Sequence, residues 1–284
     1  PRMRCASSPP SWSNAWPEAV PVPVPVHPAD EGALVARLRA AGCVFAEDEA
    51  ALLRDLPVSK REAAIAARIA GAPLEHVLGW VELDGVRLAV GPGVFVPRQR
   101  SRFLVQEAAA RTLPDSLVLD LCCGNGALGR LLAERVEVSV HACDIDPVAV
   151  ALAVRNLAPV GGTASTGDLF EAVPPALRGR LGTILANVPY VPTEAEELMP
   201  RDVRASEPLR TRAGGADGLD VLRRVALAAP DWLAAGGVLL SELAEHQEVA
   251  AVAVMTDAGL ITTTAQDEDG TVVVIGARSR SPRR

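Results

Sequence analysis

Asn187-Val188-Pro189-Tyr190 sets together a side-chain amide, a main-chain carbonyl ahead of a proline, and the chain's only tyrosine. The stretch follows the apolar run Thr183-Ile184-Leu185-Ala186, which reads as a buried strand, so these groups sit at a strand tip. In α/β sheets ligands bind at that end of the strands. A proline there also has a plain structural use, because it lacks an N–H and ends the ladder cheaply. The chemical reading is more specific. A planar –NH2 group presents two N–H bonds, and the Asn187 side-chain oxygen and the Val188 carbonyl can accept both. Holding them turns the nitrogen lone pair toward an electrophile and stabilises the positive charge that grows on nitrogen. Tyr190 can stack on such an acceptor, and Pro189 fixes the turn.

A second group of chemistry-bearing residues lies earlier in the chain. Gly124-Asn125-Gly126-Ala127-Leu128-Gly129 matches the G-x-G-x-x-G dinucleotide fingerprint, between a strand and a helix, with Asp144 ending the next strand. Three features oppose a nicotinamide cofactor. Asp120, near the end of the first strand, is expected to point its carboxylate into the nucleotide crevice, where a pyrophosphate is repelled and no cation is evident to meet it. The chain closes on an antiparallel hairpin, unlike a dinucleotide fold of two parallel halves. The later strand tips show no evident acid or base for hydride transfer.

S-adenosylmethionine, a sulfonium cation carrying a carboxylate, a ribose and an adenine, meets these constraints. Glycines let the backbone approach it closely, and a helix N-terminus favours its carboxylate. Asp144 is expected to accept from both ribose hydroxyls, and Asp168 in Gly167-Asp168-Leu169-Phe170 from the adenine amino group. Each Asp alone also reads as a turn or cap residue, but three acids at successive strand ends converge on one crevice. The expected cofactor residues are Asp120, Cys122, Gly124, Asn125 and Gly126 from the loop. Asp144 and Ile145, Asp168 and Leu169 follow from the next two strand ends, and Asn187 closes the set. Cys122, Cys123, Cys143 and His141 lie near the crevice without C-x-x-C spacing, and read as small buried residues, with no metal site.

The elements that must position these groups follow from periodicity. Beyond residue 115 strands and helices alternate, which argues a parallel sheet with helices on both faces. Strands are expected at 117–121, 136–144, 163–168, 183–187 and 237–242, with a helix over 218–235 bent at Pro230. The stretches 261–266 and 271–275, joined through Asp269-Gly270, must pair antiparallel. The expected fold is therefore an α/β, seven-stranded Rossmann-like sheet ending in an antiparallel hairpin. Ahead of it, Val81 to Val90 alternates on both sides of Asp84-Gly85, the signature of a tight hairpin. From Ala29 to about Leu78 the pattern is helical, with Leu34, Leu38 and Ala41 on one face and a capping box at Ser59-x-x-Glu62. Residues 1–28 form a Pro-rich leader, expected to be disordered. The expected organisation is thus leader 1–28, helical domain 29–79, hairpin linker 80–97, catalytic domain 98–278 and basic tail 279–284.

Bulk properties narrow the class. A net charge of −7 with only 3 % aromatic residues weakens a broad nucleic-acid surface, which needs basic patches and stacking platforms. No apolar run approaches the ~20 residues of a membrane span. Five cysteines without framework spacing suit a reducing cytoplasm.

At these residues the chain resembles the release-factor glutamine methyltransferases, the HemK/PrmC family. The likeness is carried by "VLDLCCGNGALG", "VHACDIDPVAVALAVRNL", "GDLF", "NVPY" and "EPLRTRAGGADGLDVLRRV". It implies a helical N-terminal domain that docks a protein substrate, a hairpin linker and a seven-stranded methyltransferase domain. It further implies methyl transfer from S-adenosylmethionine to the glutamine nitrogen of the Gly-Gly-Gln motif of a peptide chain release factor, with nucleic-acid contact only indirect. In the family pattern Asp120, Gly124 and Gly126 match the cofactor loop, Asp144 the ribose acid, and Asn187 and Tyr190 the amide-binding ends. Three departures stand out. The family's N-P-P-Y has Val188 here, its first loop glycine is Cys122, and its P-R-P-E-T-E reads Pro97-Arg98-Gln99-Arg100-Ser101-Arg102, reversing charge beside the site. Competing readings are N-methylation of an exocyclic amine in nucleic acid, N-methylation of a small molecule, and a cofactor-binding regulator without catalysis.

Overall fold

The computed structural model describes residues 28–198 and 208–280. The expected Pro-rich leader, up to residue 27, and the last four residues of the basic tail lie outside the described residues.

Four helices open the described chain: α1 (Pro28–Ala40), α2 (Ala46–Arg54), α3 (Val58–Ile69) and α4 (Leu74–Leu78). Leu34, Leu38, Ala46, Ala50, Leu53 and Ile65 bury a small core of their own, separate from those of the sheet. Ala41, expected on that face, is exposed, because α1 ends one residue before it. The capping box also does not form. Pro57 takes the cap position of α3, so Ser59 falls inside the first turn and makes no side-chain cap bond. A proline beside the first helical residue arrives with helical φ already set, which moves the start upstream.

The hairpin pairs β1 (Trp80–Leu83) with β2 (Val86–Ala89). Asp84 and Gly85 both take left-handed backbone, φ 49° and 73°, the geometry whose twist suits a two-residue hairpin. Helix α5 (Arg102–Ala109) then leads to β3 (Ser116–Leu121), α6 (Ala127–Arg135), β4 (Val138–Asp144), α7 (Pro147–Leu157), β5 (Thr163–Thr166) and β6 (Leu181–Ala186). Helix α8 (Asp220–Trp232) runs two residues past Pro230 directly into β7 (Leu233–Leu243), and α9 (Glu248–Asp257), β8 (Ile261–Gln266) and β9 (Val272–Ala277) complete the fold.

The seven strands lie in the order β5-β4-β3-β6-β7-β9-β8. Five run parallel, and β9 pairs antiparallel with both β7 and β8. The expected sheet is the observed one. Successive side chains alternate between its faces. Val118, Val140, Leu185 and Leu240 pack under α5, α6 and the hairpin. Leu119, Leu121, Ile184 and Leu239 pack under α8 and α9. Because β3 lies at the centre, hydrogen-bonded to β4 on one side and β6 on the other, the loops after it diverge and leave a crevice. No helix among the described residues is long and apolar enough to cross a membrane.

Candidate active site

A cavity of about 590 Å³ opens at the carboxyl ends of β3, β4 and β6. It falls within the range of small-molecule sites. Its lining includes Cys122, Gly124, Asn125, Asp144, Ile145, Asp168 and Leu169 on one side, and Asn187, Val188, Pro189 and Tyr190 on the other. The two groups of sequence-predicted residues thus share one space.

The loop after β3 is shaped by backbone that L residues rarely adopt. Gly124 has φ +54°, and a Cβ placed there would meet nothing within 4 Å, so its main chain faces open space. Cys122, where the resembled family carries glycine, has φ 56° and therefore holds a side chain in a left-handed conformation.

Asp144 braces that loop. Its Oδ2 accepts the Gly124 N–H at 2.8 Å and its Oδ1 the Asp146 N–H at 2.9 Å. Burial raises its pKa above the ordinary carboxylate value, with the two amides opposing. Each oxygen keeps a lone pair for a further donor. Asp146 caps α7 through the Val148 amide, and Arg210 Nη2 donates to its other oxygen at 2.5 Å. Burial works to raise the Asp146 carboxyl; Arg210 and the Val148 amide override it and hold the carboxyl low. Asp168 receives Arg224 Nη2 at 2.6 Å.

Asp120 departs from its expected role. It is fully buried and absent from the cavity lining, because its Oδ2 turns beneath α6 to accept the Gly129 N–H at 2.8 Å. Its position on the strand faces α6 and not the strand end. The expectation that no cation meets the crevice also fails. Arg98, Arg100, Arg210, Arg212 and Arg224 all reach the lining; Arg100, Arg210 and Arg224 pair with Glu242, Asp146 and Asp168, and Arg98 lies over the Phe95 ring. Asn125 lines the cavity, but its buried amide donates to Ala89 O at 2.9 Å. Asn156 donates to the same carbonyl and to Asn125 O, and accepts the Ala89 N–H. These two amides tie the hairpin to the loop.

On the other side, Ser241 Oγ donates to Ala186 O at 2.7 Å and pins the end of β6. Asn187 Nδ2 donates to the buried Ser101 hydroxyl at 3.3 Å, leaving Oδ1 without a partner among the described residues. Val188 is buried, and Tyr190 presents its hydroxyl to Arg100 and Glu242. His141 hydrogen-bonds the Thr163 and Ser165 hydroxyls, and burial lowers its pKa. Among the described residues no group of three His, Cys, Asp or Glu side chains could hold a metal ion.

Sequence reasoning missed Ser101, Arg210, Arg224 and Glu242. Signals were present: Ser101 lies in the stretch 97–102 beside the site, Arg210 and Arg224 in the family-like stretch 207–225, and Glu242 is an acid closing the run Val238-Leu239-Leu240-Ser241.

The Methyltransferase small domain model matches residues 86–202. A protein of Pyrococcus furiosus described as a methyltransferase shares the fold, at TM-score 0.53 and 18 % identity, over 78 % of this chain and 99 % of that one. A ribosomal protein uL3 glutamine methyltransferase of Bordetella pertussis is 37 % identical over 62 % of this chain and 61 % of its own. The release factor glutamine methyltransferase of Geobacter sulfurreducens is 35 % identical across 79 % of this chain and 81 % of its own. With this likeness running along most of both chains, the protein belongs to the release factor glutamine methyltransferase family.

Proposed function

We propose that this protein transfers the methyl group of S-adenosylmethionine to the side-chain amide nitrogen of a glutamine in the Gly-Gly-Gln segment of a peptide chain release factor. When bound, the cofactor supplies a methyl group activated by a sulfonium centre. The residues present fit it. The cavity is of suitable size, Gly124 leaves space for close backbone approach, and Asp144 and Asp168 offer carboxylates for ribose and adenine donors. Cys122, Ile145 and Leu169 supply apolar walls, and Asp120 supports the first turn of α6 from behind.

The observation that carries the reading is the Asn187 amide. With Nδ2 given to Ser101, its Oδ1 remains an acceptor, and Asn187 and Val188 both line the cavity. In this reading the Asn187 Oδ1 and the Val188 carbonyl hold the N–H bonds of the incoming glutamine. An amide lone pair is delocalised, so orienting it and stabilising the charge that grows on nitrogen is what the reaction requires. Pro189 sets the turn and Tyr190 forms one wall. The helices α1–α4 serve as the docking domain, the hairpin as linker and residues 98–278 as the catalytic domain. A cytoplasmic location agrees with a translation factor as substrate.

The test is label transfer from methyl-labelled S-adenosylmethionine to purified release factor, to ribosomal protein uL3 and to ribosomal RNA. Label on the Gly-Gly-Gln glutamine supports the proposal. Label on uL3 alone moves the acceptor within the same chemistry, and label on RNA overturns the proposal.

A further inference from the structure

Arg100 reaches the strand tip from the turn Gln99–Ser101 ahead of α5. It lies 90 residues from Tyr190 and 142 from Glu242 in the chain, and touches both. Its Nε donates to Glu242 Oε1 at 3.0 Å, and its Nη2 donates to Tyr190 Oη at 2.6 Å. The Tyr190 hydroxyl donates in turn to the same Glu242 oxygen at 3.3 Å. Glu242 is 1 % exposed, and its Oε2 is buried without a hydrogen-bond partner among the described residues. A carboxylate so placed is costly unless a cation is held against it. Glu242 therefore anchors Arg100, and a side chain that would otherwise range over the surface is held in one place.

We propose that Arg100 is a positioning residue for the acceptor site: anchored on Glu242, it holds the Tyr190 ring as a fixed wall beside Asn187. This rests on the reading of residues 187–190 as the acceptor end. The main chain at Tyr190 is secured separately, since Gln247 Nε2 donates to its carbonyl at 2.9 Å. Among the described residues, the polar contacts of the Tyr190 hydroxyl lie in the Arg100–Glu242 group. The tip also needs a restraint. Where the resembled family has two prolines, this chain has Val188, so Asn187 lacks the limit that a following proline imposes. A two-point guanidinium contact on the neighbouring ring supplies order that the backbone no longer does. The charge reversal at position 100 then belongs to the tip itself, because the arginine is neutralised locally by Glu242. A lysine offers one point charge and cannot span both partners as a planar fork does.

The chain has a single tyrosine, so protein carrying tyrosine labelled at the ζ carbon gives one resonance. Arg100→Met should shift that resonance and slow single-turnover methyl transfer by about tenfold, as expected when a wall of the acceptor site loosens. Affinity for S-adenosylmethionine should stay within about twofold, a readout that also confirms the variant is folded. Arg100→Lys should recover part of both effects. The alkaline titration of the tyrosine should move upward in Arg100→Met, which removes a cation, and downward in Glu242→Gln, which removes an anion. An unmoved resonance in Arg100→Met, or transfer at the parental rate, overturns the proposal. So does an equal loss of cofactor binding, which would make Arg100 a support of the whole crevice. The tyrosine signal is read without any acceptor, so a wrong acceptor assignment shows separately, as absent transfer by the parent protein.

Discussion

The Asp120 carboxylate accepts the Gly129 N–H at 2.8 Å from inside the protein, beneath the first turn of α6. Burial pushes its pKa up to about 7, with the Gly129 amide working against the rise and Asp144 adding to it. Above the ordinary carboxylate value the unfolded chain releases this proton while the folded chain keeps it. The folded state then binds more protons, and stability falls as pH rises until about 7. Asp120→Asn retains an oxygen for Gly129 and cannot ionise. Thermal unfolding between pH 4 and 8 should show the variant gaining on the parent as pH rises, by on the order of a few kcal/mol. Any penalty from the unpaired amide is independent of pH, so a flat difference would refute the assignment.

Asp144→Ala removes the brace on Gly124 and Asp146 together with the carboxylate offered to the ribose. Affinity for S-adenosylmethionine should weaken by roughly 1.5–3 kcal/mol, the range for hydrogen bonds to a charged acceptor. Isothermal titration checks it, with NAD as the control ligand. Parental affinity would leave Asp144 as a loop brace only.

Cys122 inverts an ordinary rule. Alanine usually stabilises relative to glycine by roughly 0.5–1 kcal/mol. A left-handed conformation costs a residue with a Cβ about 1–2 kcal/mol. At φ 56° Cys122→Gly should therefore unfold at higher urea than Cys122→Ala. The reverse order would mean that the loop relaxes away from the left-handed region.

Asn187→Ala should leave the fold and cofactor affinity nearly unchanged and slow methyl transfer by about 10²–10³, the effect of losing one preorganised partner. Val188→Pro should transfer at close to the parental rate, since the carbonyl survives and Asn187 becomes more restrained. Single-turnover measurement at saturating cofactor keeps product release from masking the chemistry. Parental transfer by Asn187→Ala would reduce the tip to a strand terminator.

What could be read in advance was local. Asp84-Gly85 announces its hairpin because both turn residues must accept positive φ, a property of the residues themselves. Strands β3, β6 and β7 are legible because burial on both faces demands apolar runs such as Val118-Leu119, Ile184-Leu185 and Val238-Leu239-Leu240. Ser59 misled because a neighbouring proline competes for the start of the helix, and two valid local signals cannot both win. Asp120 misled because strand position alone does not say which face a side chain takes. The Arg100–Glu242 contact spans 142 residues of chain, and only the folded sheet brings its ends together.

The central place of β3 has an evolutionary consequence. Asp144 ends β4 and Asp168 follows β5, whereas Asn187 and Tyr190 follow β6 and Glu242 lies in β7. Mutations can therefore accumulate on one half of the sheet under different selection from the other. On the proposed reading, the departures at positions 100 and 188 fall on the acceptor half and that at Cys122 on the donor half, so a lineage can retune either half while the other keeps its own contacts.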